Sequence, residues 1–221
     1  MYQHHGYGRM FEINVPVADI KSKAKERGLS VAVINSHDSV VLAGETAIAS
    51  SAYEEFESEG HTCRWLKDEY AFHGPEMRKD KAQLKESLGG LGLRHPKVPY
   101  YSAVTGVKID EAIDGAEYFS RNMAEPVRFA AAMSTLKGDG ANVFVEIAPH
   151  PILLRSIVQP STEEMELCVG LPTMRRGREY SVSWLNLLSN LYANNIDVNW
   201  SLHFDKDYKN YPCRCGSKEC V

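Results

Sequence analysis

Between Met10 and Lys67 the spacing of apolar residues switches repeatedly between two periods, and every switch is marked by a proline, a glycine or a polar turn. "MFEINV" (10–15) alternates as a strand does and stops at Pro16. "VADIKSKAKERG" (17–28) places Val17, Ile20 and Ala24 on one helical face, with Gly28 as its stop. "SVAVIN" (30–35) and "VVLAG" (40–44) are β-branched and apolar, and "HDS" between them turns the chain, so they read as a hairpin. "ETAIASSAYEEFESEG" (45–60) is a helix with a glycine stop, and "TCRWLK" (62–67) a further strand. The order β-α-β-β-α-β is that of the split βαβ, ferredoxin-like unit. It is expected over residues 8–70.

Beyond His73 the pattern changes. "PEMRKDKAQLKESLGGL" reads as a helix ending at Gly89-Gly90, and "VPYYSAVTG" (98–106) as a short strand. "AEYFSRNMAEPVRFAAAMSTLKGDG" holds two helical pieces, broken before Pro126. "NVFVEIA" (142–148) is a buried strand, "PHPILLRSI" opens a helix, and "ELCVGL" (166–171) is another strand. Strands separated by helices predict a parallel layer, here with few strands. "EYSVSWLNLLSNLYANNIDVNW" is an amphipathic helix with Trp184, Leu187, Leu188 and Leu191 on its apolar side.

Composition excludes some functions. The 221 residues are 43% hydrophobic with a net charge of −4, so there is material for a core and no electrostatic footprint for nucleic acid or an anionic membrane. The densest basic spot, "MRRGR" (174–178), is short and reads as a solvated linker. A ferredoxin-like nucleic-acid binder is disfavoured because no strand mixes aromatic and basic residues in the RNA-recognition manner. No apolar run is long enough to span a membrane, and the N-terminus lacks a signal-peptide core, so a cytoplasmic location is expected. Five cysteines argue against a disulfide framework. Cys213, Cys215 and Cys220 crowd the C-terminus, where a reduced, frayed tail outweighs a zinc site with non-standard spacing.

One residue invites a chemical reading. In "DEYAFHGPEM" (68–77), His73 follows an aromatic run and precedes a Gly-Pro turn. Histidine moves protons near neutral pH and can take the proton of a serine or cysteine nucleophile. A lone histidine is more often an ordinary loop residue. His4, His5, His37, His61, His95 and His203 show no metal-ligand spacing, and no metal is expected. Glu146 and His150, in a proline-rich turn after a buried strand, read as structural, and Asn35 and Ser36 as the turn that ends a strand.

Several motifs in order raise the standing of His73. "GYGRM" (6–10), "VAVINSHDSVVLAG" (31–44), "YAFHGPEM", "VPYYSAVTG", "YFSRNMAEPVRFAAAM" (118–133) and "FVEIAPHPIL" (144–153) resemble, in sequence order, the acyltransferase domains of polyketide synthases and animal fatty acid synthases, of the malonyl-CoA:acyl-carrier-protein transacylase type. "LPTMRRGREYSVSWLNLLSNLYANNIDVNW" resembles the linker that follows such domains. The resemblance implies a ferredoxin-like small subdomain at 8–70, an incomplete α/β-hydrolase-like large subdomain at 71–170, a helical post-acyltransferase linker at 171–205 and a disordered tail at 206–221.

The same resemblance implies a chemistry. A serine in Gly-His-Ser-x-Gly takes malonyl from CoA, and the phosphopantetheine thiol of an acyl-carrier protein then accepts it. His73 would be the base, and the backbone carbonyl of Asn122 would orient its ring. Phe72 would line the acyl pocket. Tyr70 resembles methylmalonyl-selective domains and Phe72 malonyl-selective ones; malonyl is expected, for a discrimination of only ~1–3 kcal/mol per methyl group. Acyl-CoA and the phosphopantetheine arm are substrates, with no bound cofactor, and the partners are the carrier protein and other synthase domains. No Gly-x-Ser-x-Gly occurs in the chain, nor does the family's carboxylate-binding arginine that follows it. The chain is therefore expected to be the C-terminal portion of such a domain and inactive alone. The alternative is a non-catalytic scaffold module of a synthase.

Overall fold

Four strands from the first third of the chain form one antiparallel sheet, in the order β2-β3-β1-β4. They are β1 (Gly8–Asn14), β2 (Ser30–Ile34), β3 (Ser39–Glu45) and β4 (Cys63–Trp65), interleaved with α1 (Val17–Glu26) and α2 (Thr46–Ser58). In this computed structural model, residues 6–158 and 168–204 are described. The expected β-α-β-β-α-β order is what the strands and helices adopt. His4, His5, the C-terminal cysteines and the expected tail at 206–221 lie outside the described residues.

Pleat explains the two cores of this sheet. Alternate residues of a strand face opposite ways. Phe11 and Ile13 of β1, with Val40 and Leu42 of β3, are fully buried against Ile20 and Ala24 of α1 and Ala49, Ala52 and Phe56 of α2. Each large apolar side chain so buried contributes about 1.5–3 kcal/mol. Met10, Val41, Ala43 and Ala32 point the other way. They are covered by Ala71, with Leu66 and Phe72 packed alongside. The segment leading to His73 is thus the lid of the second face.

The edge strand β2 is also covered. Val33 forms a parallel bridge with Val127. The Val127 N–H donates to Ala32 at 2.8 Å, and its carbonyl accepts from Ile34 at 2.9 Å. The stretch after Pro126 therefore pairs with an edge that would otherwise expose unsatisfied backbone groups.

The helix expected after His73 is two: α3 (Pro75–Lys79) and α4 (Lys81–Ser87). They meet at Asp80, whose N–H reaches back only three residues, to Met77. Helix α5 (Gly115–Ala124) is capped by Asp114, whose carboxylate accepts from the Ala116 and Glu117 N–H groups at 2.9 and 3.2 Å. Helix α6 (Phe129–Gly138) follows the expected break at Pro126.

Among the described residues the expected parallel layer is reduced to a single pair of strands, and the other short strands pair antiparallel. β5 (Gly92–Leu93) pairs antiparallel with β8 (Ile113–Asp114), and β6 (Tyr100–Tyr101) with β7 (Lys108–Ile109). "VPYYSAVTG" is one arm of a hairpin, because Gly106, at φ +82°, takes a left-handed conformation that reverses the chain. β9 (Val143–Glu146) pairs with β10 (Val169–Pro172) in the expected parallel sense, the Val169 N–H donating to the Asn142 carbonyl at 2.8 Å and the Thr173 N–H to the Glu146 carbonyl at 3.0 Å. Helix α7 runs over Leu154–Val158 among the described residues, and α8 (Tyr180–Ala193) buries Ser183, Leu187 and Leu188.

The chain divides into two units: residues 1–144 with 153–170, and residues 145–152 with 171–221. Among the described residues no helix is long and apolar enough to cross a membrane, and no cluster of three or more potential metal ligands occurs. Cys63 and Cys168 are free thiols, and burial pushes that of Cys63 up to about 11.

Candidate functional site

Ala71 is fixed by a close approach of two backbones. A Cβ on Gly8 would stand 2.5 Å from the Ala71 Cβ, so only glycine lets β1 come so near. From Ala71 the chain turns, with the Gly74 N–H donating to the Ala71 carbonyl at 3.2 Å. Pro75 then opens α3. Between them His73 sits at φ +60°, one of two non-glycine residues with positive φ among those described. A left-handed residue with a side chain costs about 1–2 kcal/mol. Glycine would serve the turn better, so the imidazole has to be justified by what it touches.

The half-buried ring donates from Nδ1 to the backbone carbonyl of Glu125 at 2.9 Å. Glu125 ends α5, and Pro126 makes its carbonyl available. A residue before proline is pushed into extended geometry, and Glu125 has φ −98° and ψ 156°. Its carbonyl therefore leaves the helix direction. Proline also lacks the N–H that would bond the carbonyl of Asn122, four residues back. Two carbonyls at one helix end are freed by one residue, where the helix dipole is negative.

The expected acceptor was Asn122. The 2.9 Å hydrogen bond runs to the Glu125 carbonyl, which the sequence reading did not name, and the Asn122 backbone acts on the ring as the lesser of two acceptors. Sequence reasoning passed over Glu125 because only its carbonyl acts; the Glu-Pro pair at a helix end was the available signal.

Charge pairs hold that helix end in place. The Glu125 carboxylate accepts from Arg121 Nε at 3.0 Å and also pairs with Lys81 of α4 at 3.4 Å. Lys85 pairs with Glu117 at 2.8 Å, again tying α4 to α5. Hydrogen bonding from Arg121 holds the Glu125 carboxyl below the usual carboxylate range, so it stays ionised near neutrality. For His73 the largest influence is burial, which lowers its pKa below the ordinary 6.5; the Glu125 and Asn122 backbones oppose it. The ring is thus neutral at pH 7. With Nδ1 donating to Glu125, that tautomer leaves Nε2 as the acceptor.

Phe72 is half-buried against the second core of the sheet and stacks on Tyr70, with centroids 5.1 Å apart. A hollow of about 490 Å³ lies beside the turn, lined among others by Gly8, Gly44, Ala71, Pro75 and Met77. Neither Phe72 nor His73 lines it. The remaining sequence candidates are local. Asn35 and Ser36 make the β2–β3 turn, their N–H groups donating to the Ser39 carbonyl. In the second unit Glu146 is buried and accepts the Ile152 N–H at 2.8 Å, while His150 Nδ1 accepts the Arg176 N–H at 3.4 Å.

Comparison with known proteins points in one direction. A model of the acyl transferase domain matches residues 1–198. Polyketide synthase GfsB of Streptomyces halstedii is 32% identical over 203 residues, which are 90% of this chain and 4% of that protein. A mycocerosic acid synthase-like polyketide synthase of Mycolicibacterium smegmatis is 31% identical over 201 residues, 89% of this chain and 10% of the relative. Among solved structures, the acyltransferase domain from module 8 of the salinomycin polyketide synthase superposes with a TM-score of 0.84 at 26% identity, covering 90% of this chain and 48% of that one. The domain from the second module of the same synthase gives 0.80 at 24% identity, covering 94% and 48%. The chain thus spans about half of these solved domains and a small part of the curated synthases.

Proposed function

The chain belongs to the acyl transferase domain family, of the polyketide synthase type, and on that premise we propose that it supplies the base-bearing half of a Ser-His acyl transfer. The observation that carries this reading is the His73 ring: left-handed backbone, Nδ1 held by the Glu125 carbonyl, neutral, and Nε2 left to accept.

In the proposed reaction His73 Nε2 takes the proton of a serine hydroxyl as its oxygen attacks the thioester carbon of malonyl-CoA or a related acyl-CoA. The tetrahedral intermediate collapses, the C–S bond breaks, and the proton passes from His73 to the CoA thiolate. In the second half the phosphopantetheine thiol of an acyl-carrier protein gives its proton to His73 and attacks the acyl-serine ester. The serine leaves and is reprotonated. Holding the imidazolium requires acceptors on the other nitrogen, and the carbonyls of Glu125 and Asn122 fill the role a carboxylate has in other triads. Phe72 would border the acyl group.

The serine is not in this sequence: no Gly-x-Ser-x-Gly is present. We therefore infer that the 221 residues alone form no acyl-enzyme with labelled malonyl-CoA. Fused in frame behind a polyketide synthase acyltransferase segment carrying Gly-His-Ser-x-Gly, they should form one and pass it to a carrier protein. His73→Ala in that fusion should slow transfer by roughly 10²–10⁴-fold, the usual worth of general base catalysis. Equal rates with and without His73 would refute the base assignment and leave the scaffold role.

A further inference from the structure

The second unit contains a hollow that the acyl-transfer chemistry does not use. It measures about 220 Å³, and its lining includes Arg175, Arg178, Ser183, Asn186, Leu187 and Asn190. Arg175 and Arg178 come from the one dense basic run of the sequence, and the other four from a single face of α8.

Ser183 is the unusual member. It is 8% exposed, and its hydroxyl has no hydrogen-bond partner. A serine inside a helix can return its hydroxyl to the carbonyl four residues back, as Ser189 does to Leu185 at 2.8 Å. Ser183 does not, although its backbone N–H reaches Glu179 at 3.1 Å. A buried hydroxyl without a partner carries its full desolvation penalty. A ligand in the hollow would relieve it. The two guanidiniums at the rim are exposed, and among the described residues neither forms an ion pair with a carboxylate.

We propose that this hollow recognises the phosphate group of a small phosphoester. Two arginines three residues apart offer forked donors suited to a doubly charged oxyanion. The Ser183 hydroxyl gives a neutral donor from the floor, and the Asn186 amide is at hand on the same helix face, while that of Asn190 already gives one hydrogen bond to the Asn186 carbonyl at 2.7 Å. Volume limits the part that is bound. Pockets enclosing a whole small ligand run to about 300–1,000 Å³, so this one takes a single phosphate and leaves the remainder of the molecule outside. The proposal is independent of the acyl-transfer reading, since none of its residues takes part in that chemistry.

The test is an NMR titration of the full 221-residue chain with inorganic phosphate, with acetate as the comparison anion. Phosphate should shift the Ser183 and neighbouring α8 amides saturably, and acetate should bind more weakly. The double variant Arg175→Gln/Arg178→Gln should weaken phosphate binding by roughly tenfold or more, as loss of charge-assisted hydrogen bonds requires. Ser183→Ala should weaken it by a smaller factor while leaving the thermal midpoint unchanged or raised, since it deletes an unsatisfied group. No saturable shift would overturn the proposal. So would acetate binding as well as phosphate, or phosphate binding by the folded double variant as tightly as by the parent chain.

Discussion

The left-handed backbone at His73 makes a prediction that separates fold from chemistry. Consider His73→Gly and His73→Ala. Both delete the bond from Nδ1 to the Glu125 carbonyl, which at 2.9 Å in a half-buried setting is worth about 0.5–1.5 kcal/mol. They differ in backbone. At φ +60° alanine bears a penalty of about 1–2 kcal/mol that glycine escapes. Glycine gives back about 0.4–1 kcal/mol through the greater freedom of its unfolded chain. The balance leaves the glycine variant ahead of the alanine variant by about 1 kcal/mol, and close to the parent, in which relief of strain offsets the lost bond. The assay is equilibrium urea unfolding followed by circular dichroism, comparing midpoints at equal slope. Acyl transfer in the fusion with a nucleophile-bearing segment should fall equally in both. An alanine variant as stable as the glycine variant would show that residue 73 is not held left-handed, and the case that its imidazole is retained for chemistry would fail.

Three further outcomes follow from the same geometry. Pro126→Ala restores an N–H that can bond Asn122 and releases Glu125 from its extended geometry, so His73, followed by imidazole NMR titration, should titrate at lower pH, and transfer should fall by about ten- to hundredfold; an unmoved titration would count against the carbonyl account. The His73 pKa is lowered by burial, so the folded state resists protonation and stability should decline as pH drops below the ordinary 6.5. The Glu125 carboxyl is lowered by Arg121, so a second loss should begin below its ordinary 4.5 and be diminished in Glu125→Gln, read from urea midpoints against pH. Gly8→Ala places a methyl 2.5 Å from the Ala71 Cβ and should cost about 1–3 kcal/mol; adding Ala71→Gly should recover part of that, measured by the same unfolding assay.

How far these features could be read in advance depended on the range of the forces behind them. The four-stranded sheet was legible because its signals are local: Pro16 and Gly28 punctuate, Phe11 and Ile13 alternate, and Ile20 and Ala24 recur at helical spacing. The hairpin at Tyr100–Ile109 reads in the sequence as a single strand because two-residue arms leave no period to count, and its turn depends on Gly106 going left-handed. The site was legible in part for a related reason. An imidazole announces itself as a side chain, so His73 could be singled out. Its partner could not be, because a carbonyl has no letter of its own in a sequence. What marks the Glu125 carbonyl is the proline after it, which removes one donor, straightens one residue and thereby turns a helix end into an acceptor pair. The orphaned hydroxyl of Ser183 is a still longer-range property: its identity was plain, but only packing decides that it receives no partner. A Glu-Pro pair at the end of a helix, with a histidine earlier in the chain preceded by an alanine-aromatic pair, is therefore a pattern with a mechanism behind it, and Pro126→Ala tests whether that mechanism operates here.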